Sequence, residues 1–130
     1  MRLLVCGGRD YADNQTLCEA LGILHRKRTI TLLIEGGAQG ADRLARMWAI
    51  SNDVPFATEK ADWQHYGKAA GPIRNAAMLA KHAPDAVVAF PGRTGTADMV
   101  KKAEDAKVNV WYVGEHIISR SPVAQLSNTG

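Results

Sequence analysis

Five short apolar segments divide the chain, and stretches with helical spacing follow the first four of them. The segments are Arg2–Cys6, Thr31–Ile34, Val54–Thr58, Ala86–Phe90 and Val108–Val113. Their apolar residues are continuous rather than alternating, which is typical of strands buried on both faces of a parallel sheet. Pro55 makes the third segment a predicted edge strand or strand start, because proline cannot donate to a sheet ladder.

Between these segments, apolar residues recur at the spacing of one helix face. The predicted stripes are Leu17, Leu21 and Leu24; Leu44, Ala45, Trp48 and Ala49; Ile73, Ala76, Ala77 and Ala80; and Val100, Ala103 and Ala106. Asn14 or Asp13 is a candidate cap for the first helix, and Pro72 suits the first turn of the third. The alternation predicts an α/β fold: a three-layer, Rossmann-like, doubly wound parallel sheet of about five strands with helices on both faces.

The length of 130 residues fits one domain, which we predict over residues 1–116. Residues 117–130 are mostly polar and lack helix caps, so a flexible tail is predicted there. The sequence has no signal-like start and no apolar run of membrane-spanning length, and its two cysteines, Cys6 and Cys18, are sparse. These features predict free thiols, a cytoplasmic location and no membrane association.

The net charge of +3 suits an anionic small molecule as the ligand. It falls short of the dense basic stripe of a dedicated nucleic-acid binder, so nucleic acid is not expected as a partner. The histidines share no spacing typical of a metal site, and neither a metal nor a cofactor is predicted. The sequence also lacks a Walker loop and a GxGxxG turn after the first strand.

Glycines follow four of the five predicted strands. They are Gly7 and Gly8, Gly36 and Gly37, Gly92 and Gly95, and Gly114. The carboxyl ends of parallel strands lie at one edge of the sheet, where such folds bind ligands. Glycine lets a ligand approach the backbone closely, and the helices that follow present N–H groups that suit phosphate. Tight turns need glycine in any case, but its recurrence at one edge favours a phosphate site.

Two glycine-rich loops are the main candidates for phosphate contacts. The loop within Phe90–Asp98 offers Pro91, Gly92, Arg93, Thr94, Gly95 and Thr96. Thr94 or Thr96 can also cap the helix that follows, and the two roles are compatible. The loop Glu35–Asp42 offers Gly36, Gly37 and Gly40. Asp42 in the first turn of the next helix either contacts the ligand or interacts only with the helix dipole, and Glu35 is a candidate acid or acceptor for ribose hydroxyls.

Charged residues beside these loops extend the predicted site. Arg74 and Asn75 lie at the start of a helix, where the dipole disfavours a cation unless an anion is near. We therefore predict that Arg74 contacts the ligand. Arg9 and Asp10 follow the first strand directly, and they either contact the ligand or form an ion pair that shapes the loop.

Two aromatic residues have two possible roles each, and a cysteine is assigned to the core. Trp63 and Tyr66 precede the helix that carries Arg74, where they either stack on a base or cover the core. Cys6 lies inside a predicted strand and is interpreted as a packing residue rather than a nucleophile.

The segments together resemble the YspA-like branch of the SLOG superfamily, which also contains the LOG phosphoribohydrolases and the DNA-processing protein DprA. The segments are Gly7–Tyr11, Glu35–Asp42, Ala61–Trp63, Gly67–Asn75 and Pro91–Val100. The resemblance runs from about Arg2 to Val113. It implies a Rossmann-like fold, binding of a nucleotide or nucleotide sugar, and a homodimer.

The LOG enzymes carry the signature PGGxGTxxE together with an arginine from an earlier helix start. The matching residues here are Pro91, Gly92, Gly95 and Thr96. Arg93 replaces the second glycine, Met99 takes the position of the glutamate, and Arg74 takes the place of the arginine. Asp98 precedes the glutamate position by one residue, which on a helix turns a side chain by about 100°.

Three functions follow from these observations. The first is a domain that binds or senses a nucleotide derivative, with Arg74 and Arg9 near phosphate. The second is a hydrolase that cleaves the N-glycosidic bond of a nucleoside monophosphate, with Asp98 or Glu35 as its carboxylate. Met99 at the glutamate position favours binding over hydrolysis. Binding of single-stranded DNA is the weakest of the three, because the net charge is only +3.

Overall fold

The computed structural model describes residues 1–114 and 119–120. Its strands are β1 (Arg2–Cys6), β2 (Leu32–Glu35), β3 (Phe56–Thr58), β4 (Ala86–Ala89), β5 (Asn109–Tyr112) and β6 (Ser119–Arg120). They form a sheet of order β3-β2-β1-β4-β5-β6, in which β1 to β5 are parallel and the short β6 is antiparallel to β5. The predicted α/β sheet is therefore confirmed, and β3 lies at its edge as Pro55 indicates.

The helices lie between successive parallel strands. They are α1 (Asn14–Lys27), α2 (Ala41–Ser51), α3 (Trp63–Tyr66), α4 (Ala70–His82) and α5 (Thr94–Asp105). Asp13 caps α1, because its carboxylate accepts from the Thr16 backbone N–H at 3.1 Å and from the Thr16 hydroxyl at 2.7 Å. A 3-10 turn over Gly67–Ala69 joins α3 to α4. None of the described helices has the length and apolar composition that a membrane span requires.

Two apolar layers, one on each face of the sheet, fix the helices in place. Leu3 and Val5 of β1 pack towards α1 and α2, whereas Leu4 and Cys6 pack towards α4 and α5. The helix residues of the first layer include Leu17, Leu21, Ala45 and Trp48, and those of the second include Met78, Met99, Val100 and Ala103. Because successive strand residues point to opposite faces, the continuous apolar segment of β1 supplies both layers.

The predicted core face of α4 is wrong. Its stripe of Ile73, Ala76, Ala77 and Ala80 is exposed, and Ile73 alone keeps 42 % of its surface accessible. The buried face consists instead of Gly71, Asn75, Met78 and His82, with Ala70 at the start. The physical reason is that Asn75 is buried with hydrogen-bond partners on α5, so a polar residue occupies a position that the apolar pattern assigns to the surface.

One smaller expectation also ends differently, and another is not tested. Ala106 lies just beyond α5 and is exposed, so it is not part of the stripe predicted there. The tail predicted over residues 117–130 lies outside the described residues, apart from Ser119 and Arg120 in β6.

Candidate functional site

A cavity of about 800 Å³ opens at the carboxyl edge of the sheet, beside the ends of β1 and β4. The strand order reverses between these two strands, which is where open α/β sheets bind ligands. Most of the predicted site residues line it: Gly7, Gly8, Arg9, Asp10, Asp42, Arg74, Asn75, Arg93, Thr94, Gly95, Thr96 and Asp98. Glu35, Gly36, Gly37, Gly40, Pro91 and Gly92 do not.

A separate cavity of about 900 Å³ lies on the other side of α5, towards β5. Pro91 and Gly92 line this second cavity rather than the first. Arg93 and Thr96 line both cavities, but the second contains neither Arg74 nor Asp98.

Gly8 joins the three loops that surround the site. Its N–H donates to the Pro91 carbonyl at 2.8 Å, and its carbonyl accepts from the Ala41 N–H at 3.1 Å. Gly40 has a φ of 72°, and a β-carbon there would collide with the Gly8 and Arg9 backbone. Gly40 therefore allows the loops after β1 and β2 to approach each other closely, but it does not line the cavity itself.

Three consecutive backbone amides of the loop after β2, those of Gly36, Gly37 and Ala38, already donate to side chains of the protein. Asp42 accepts from the N–H groups of Gly36 and Ala38 at 3.2 Å each, and Glu35 accepts from the Gly37 N–H at 2.7 Å. The second carboxylate oxygen of Glu35 accepts from the Thr58 hydroxyl, and Glu35 is fully buried away from the cavity. The geometry therefore argues against a phosphate on this loop and against Glu35 as a ligand-contacting carboxylate.

Asp42 lies in the first turn of α2, directly after this loop, and lines the cavity. Burial raises its pKa to about 6, and nearby Glu35 adds to the rise, while hydrogen bonds from Ala38 and Gly36 and the charge of Arg74 oppose it. Beside it, burial and the charge of Asp42 raise the pKa of the Cys6 thiol, although Arg74 opposes this. Cys6 lines the cavity as a neutral thiol and is not an activated nucleophile.

The start of α5, in contrast, presents backbone amides to the cavity. Neither Thr94 nor Thr96 caps this helix as predicted: Arg93 occupies the cap position, and its side chain makes no capping hydrogen bond. The first bond of the helix runs from the Ala97 N–H to the Arg93 carbonyl at 2.9 Å. The N–H groups of Thr94, Gly95 and Thr96 thus lack an acceptor within the helix, and an anion at this end meets these donors and the positive end of the helix dipole.

A hydrogen-bonded chain connects the loop after β2 to α5 across the cavity wall. Arg74 donates from Nη1 to the Gly36 carbonyl at 2.5 Å and from Nε to Asn75 Oδ1 at 3.0 Å. Asn75 donates in turn from Nδ2 to Asp98 Oδ2 at 3.0 Å and to the Gly95 carbonyl at 3.2 Å. Arg74 and Asp98 are therefore held in fixed positions on the same wall.

Asp98 is ionised in this setting. Partial burial raises its pKa, but hydrogen bonds from Lys102 and Asn75, with the Lys102 charge, outweigh that effect and hold the pKa below its usual value. Lys102 lies one helical turn after Asp98 and donates to its Oδ1 at 2.6 Å. Met99, at the glutamate position of the LOG signature, is fully buried in the core. The one-residue displacement therefore still leaves a carboxylate on the cavity wall.

Of the two aromatic residues considered for base stacking, Trp63 and Tyr66, only the first lies at the cavity. Trp63 lines the cavity, and the Arg9 guanidinium lies 5.0 Å from the centre of its ring. Tyr66 does not line the cavity and packs edge-on against His65, with ring centres 4.4 Å apart. Asp10 pairs with Arg93 at 3.8 Å on the exposed surface.

Sequence reasoning missed three polar residues of this region: Gln39 and Lys68, which line the cavity, and Lys102, which bonds to Asp98. Lys102 was detectable, because the i, i+4 spacing from Asp98 is that of a helical ion pair. Gln39 and Lys68 carry no such signal, since their positions depend on loop conformation. Among residues 1–114 and 119–120, no three side chains of the His, Cys, Asp or Glu type are arranged to hold a metal ion.

Comparison with known proteins agrees with this architecture. Residues 1–66 match the model of a family described as the YspA, cpYpsA-related SLOG family. The chain is also similar to the Gene 61 protein of Mycobacterium phage D29, with 36 % identity over 122 residues, which is 88 % of this chain and 97 % of the relative. No solved structure matches the chain significantly. The chain belongs to the YspA, cpYpsA-related SLOG family.

Proposed function

We propose that the protein binds a nucleotide or nucleotide derivative whose phosphate lies at the start of α5, and that it acts as a binding or sensing domain. The observation that carries the proposal is the uncapped N-terminus of α5, which opens on the cavity at Thr94, Gly95 and Thr96. Membership of a SLOG family supports a nucleotide-related ligand. Because Asp42 and Glu35 occupy the amides of Gly36, Gly37 and Ala38 in the loop after β2, α5 is the better of the two predicted phosphate positions.

Arg74 supplies the positive charge beside this phosphate. Its side chain lines the cavity and is braced by Gly36 and Asn75, so little conformational freedom is lost when an anion binds. A hydrogen bond to a charged group contributes about 1.5–3 kcal/mol, so Arg74→Ala should weaken binding by about 10- to 150-fold.

Isothermal titration calorimetry with AMP, ADP-ribose and ribose 5-phosphate tests the proposal. Arg43→Ala is the matched control, because Arg43 is exposed on α2, lies outside the cavity and carries the same charge. We expect at least one of these ligands to bind, Arg74→Ala to weaken that binding and Arg43→Ala to leave it unchanged. Absence of binding by all three ligands, or equal losses in the two variants, would contradict the proposal.

A second candidate function rests on Asp98. An ionised carboxylate on the cavity wall, fixed by Asn75 and Lys102, is suited to stabilise the oxocarbenium-like transition state of N-glycosidic cleavage. The family comparison does not assign this activity, and Met99 replaces the glutamate of the LOG signature.

Chromatographic detection of free base after incubation with AMP separates the two functions. Asp105→Asn is the control for Asp98→Asn, because Asp105 lies on the same helix, outside the cavity, and also pairs with a lysine. Base release that persists in Asp105→Asn but is lost in Asp98→Asn would establish the hydrolase. Binding without base release would leave the sensing function.

A further inference from the structure

The rim of the cavity carries a tryptophan that the fold itself does not bury. Trp63 keeps 46 % of its surface accessible, although it lines the cavity. It is the first residue of α3, and the Asp62 carboxylate caps this short helix by accepting from the His65 N–H at 3.1 Å. The ring also lies against Gly71 at the start of α4, where an added β-carbon would come within 3.4 Å of Trp63 Cη2. The indole is therefore held in place while much of it stays open.

One planar cationic group already lies over this ring. The guanidinium carbon of Arg9 lies 5.0 Å from the centre of the Trp63 ring, and Arg9 itself lines the cavity. Arginine stacks on aromatic faces because its guanidinium is planar and delocalised, and nucleic-acid bases stack both on aromatic rings and on guanidinium planes. The pair thus offers two surfaces of the kind that recognise a base.

We propose that the aromatic base of the ligand stacks on Trp63, between the indole and the Arg9 guanidinium, so that the site selects base-bearing nucleotides over base-free sugar phosphates. The inference rests on the proposed function, since the phosphate at α5 provides the other point of attachment. Stacked planes lie about 3.5 Å apart, so two layers need about 7 Å. Arg9 is exposed and lies 5.0 Å from the ring centre, so its side chain has room to move outwards and admit a base.

The neighbouring Tyr66 provides a matched control. It is also aromatic, its accessible fraction is the same 46 %, and it lies in the same short helix. It packs against His65 and does not line the cavity. A general effect of exposed aromatic residues on α3 would therefore affect both positions, whereas base stacking involves only Trp63.

The test compares the four ribonucleoside 5′-monophosphates with ribose 5-phosphate by calorimetry, in wild type, Trp63→Ala, Trp63→Phe and Tyr66→Ala. In wild type at least one nucleotide should bind more tightly than ribose 5-phosphate and quench tryptophan fluorescence. Trp63→Ala should weaken that nucleotide by about 5- to 150-fold, the range for loss of a base–aromatic stack, and leave ribose 5-phosphate unchanged. Trp63→Phe should retain most of the affinity, and Tyr66→Ala should retain all of it.

The outcomes distinguish the base site from the phosphate site. If ribose 5-phosphate binds wild type as tightly as every nucleotide, the base site is refuted and the phosphate site stands. An equal loss of both ligand types in Trp63→Ala would assign Trp63 a structural role and also overturn the base site. If no phosphate ligand binds wild type, both this inference and the proposed function fail.

Discussion

Replacement of Thr94 by aspartate is expected to stabilise the protein and to weaken phosphate binding. Thr94 is the exposed first residue of α5 and lines the cavity. A carboxylate in the first turn of a helix interacts favourably with the helix dipole and contributes about 0.3–1 kcal/mol. In a domain of this size, that gain raises the melting temperature by about 1 to 4 °C.

The same carboxylate repels a phosphate at the start of α5. Two like unit charges about 4 Å apart repel by about 1 kcal/mol in water and by about 4 kcal/mol at the effective dielectric near a protein surface. Because Thr94 is exposed, we expect about 1–2 kcal/mol for each unit of phosphate charge. The dissociation constant of a nucleotide should then rise by about 5- to 30-fold for each unit of that charge.

Calorimetric unfolding measures the first effect, and titration calorimetry with the tightest nucleotide measures the second. Thr94→Asn is the control, because asparagine has nearly the size of aspartate without its charge. We expect Thr94→Asn to stay close to wild type in affinity. A Thr94→Asp protein that binds the nucleotide as tightly as Thr94→Asn would refute the phosphate position, and one that is less stable would refute the open helix end.

Four other predictions follow from the fold. Gly40→Ala should lose more than about 1 kcal/mol in chemical denaturation, because its φ is 72° and a β-carbon would meet the Gly8 and Arg9 backbone, whereas Gly95→Ala, with open space around it, should gain stability. Asp42 has a folded pKa of about 6 against an ordinary 3.8, so the native state binds more protons between these values. Wild type should therefore gain about 2 kcal/mol relative to Asp42→Asn as the pH falls from 7 to 4, and a constant difference would contradict this. Met99→Glu should lose about 3 kcal/mol or more and gain no base release, because it buries a charge in the core, whereas Met99→Leu should lose less than about 1.5 kcal/mol. Sedimentation should give twice the 14.1 kDa chain mass if the expected homodimer forms, and a single-chain mass would exclude it.

The fold could be predicted because its main signals are local. The continuous apolar residues of β1 and β4 indicate strands buried on both faces, and Pro55 indicates the edge. The face of α4 could not be assigned in this way. Periodicity finds an apolar stripe from Ile73 to Ala80, but it does not show that Asn75 finds partners on another helix and is buried instead.

The sequence predicts which segments lie near the cavity, but it does not predict the contacts that their residues make. Glycine turns at strand ends indicate the edge of the sheet where the cavity lies, because topology brings those ends together. Which amides remain free depends on the path of each loop. The Asp42 carboxylate accepts from the N–H of Gly36, six residues earlier. This bond occupies an amide of a loop that by composition alone resembles a phosphate site. The orientation of Asp98 towards the cavity and of Met99 into the core likewise requires the position of α5 on the sheet.

Amide chemical-shift mapping tests the phosphate position most directly. Titration of the ¹⁵N-labelled protein with AMP, and separately with inorganic phosphate, reports on each backbone N–H individually. We predict that the amides of Thr94, Gly95 and Thr96 shift with both ligands, while those of Gly36, Gly37 and Ala38 stay bonded to Asp42 and Glu35 and change little. Shifts confined to Gly36–Ala38, or no shift at the start of α5 with either ligand, would contradict the proposed site.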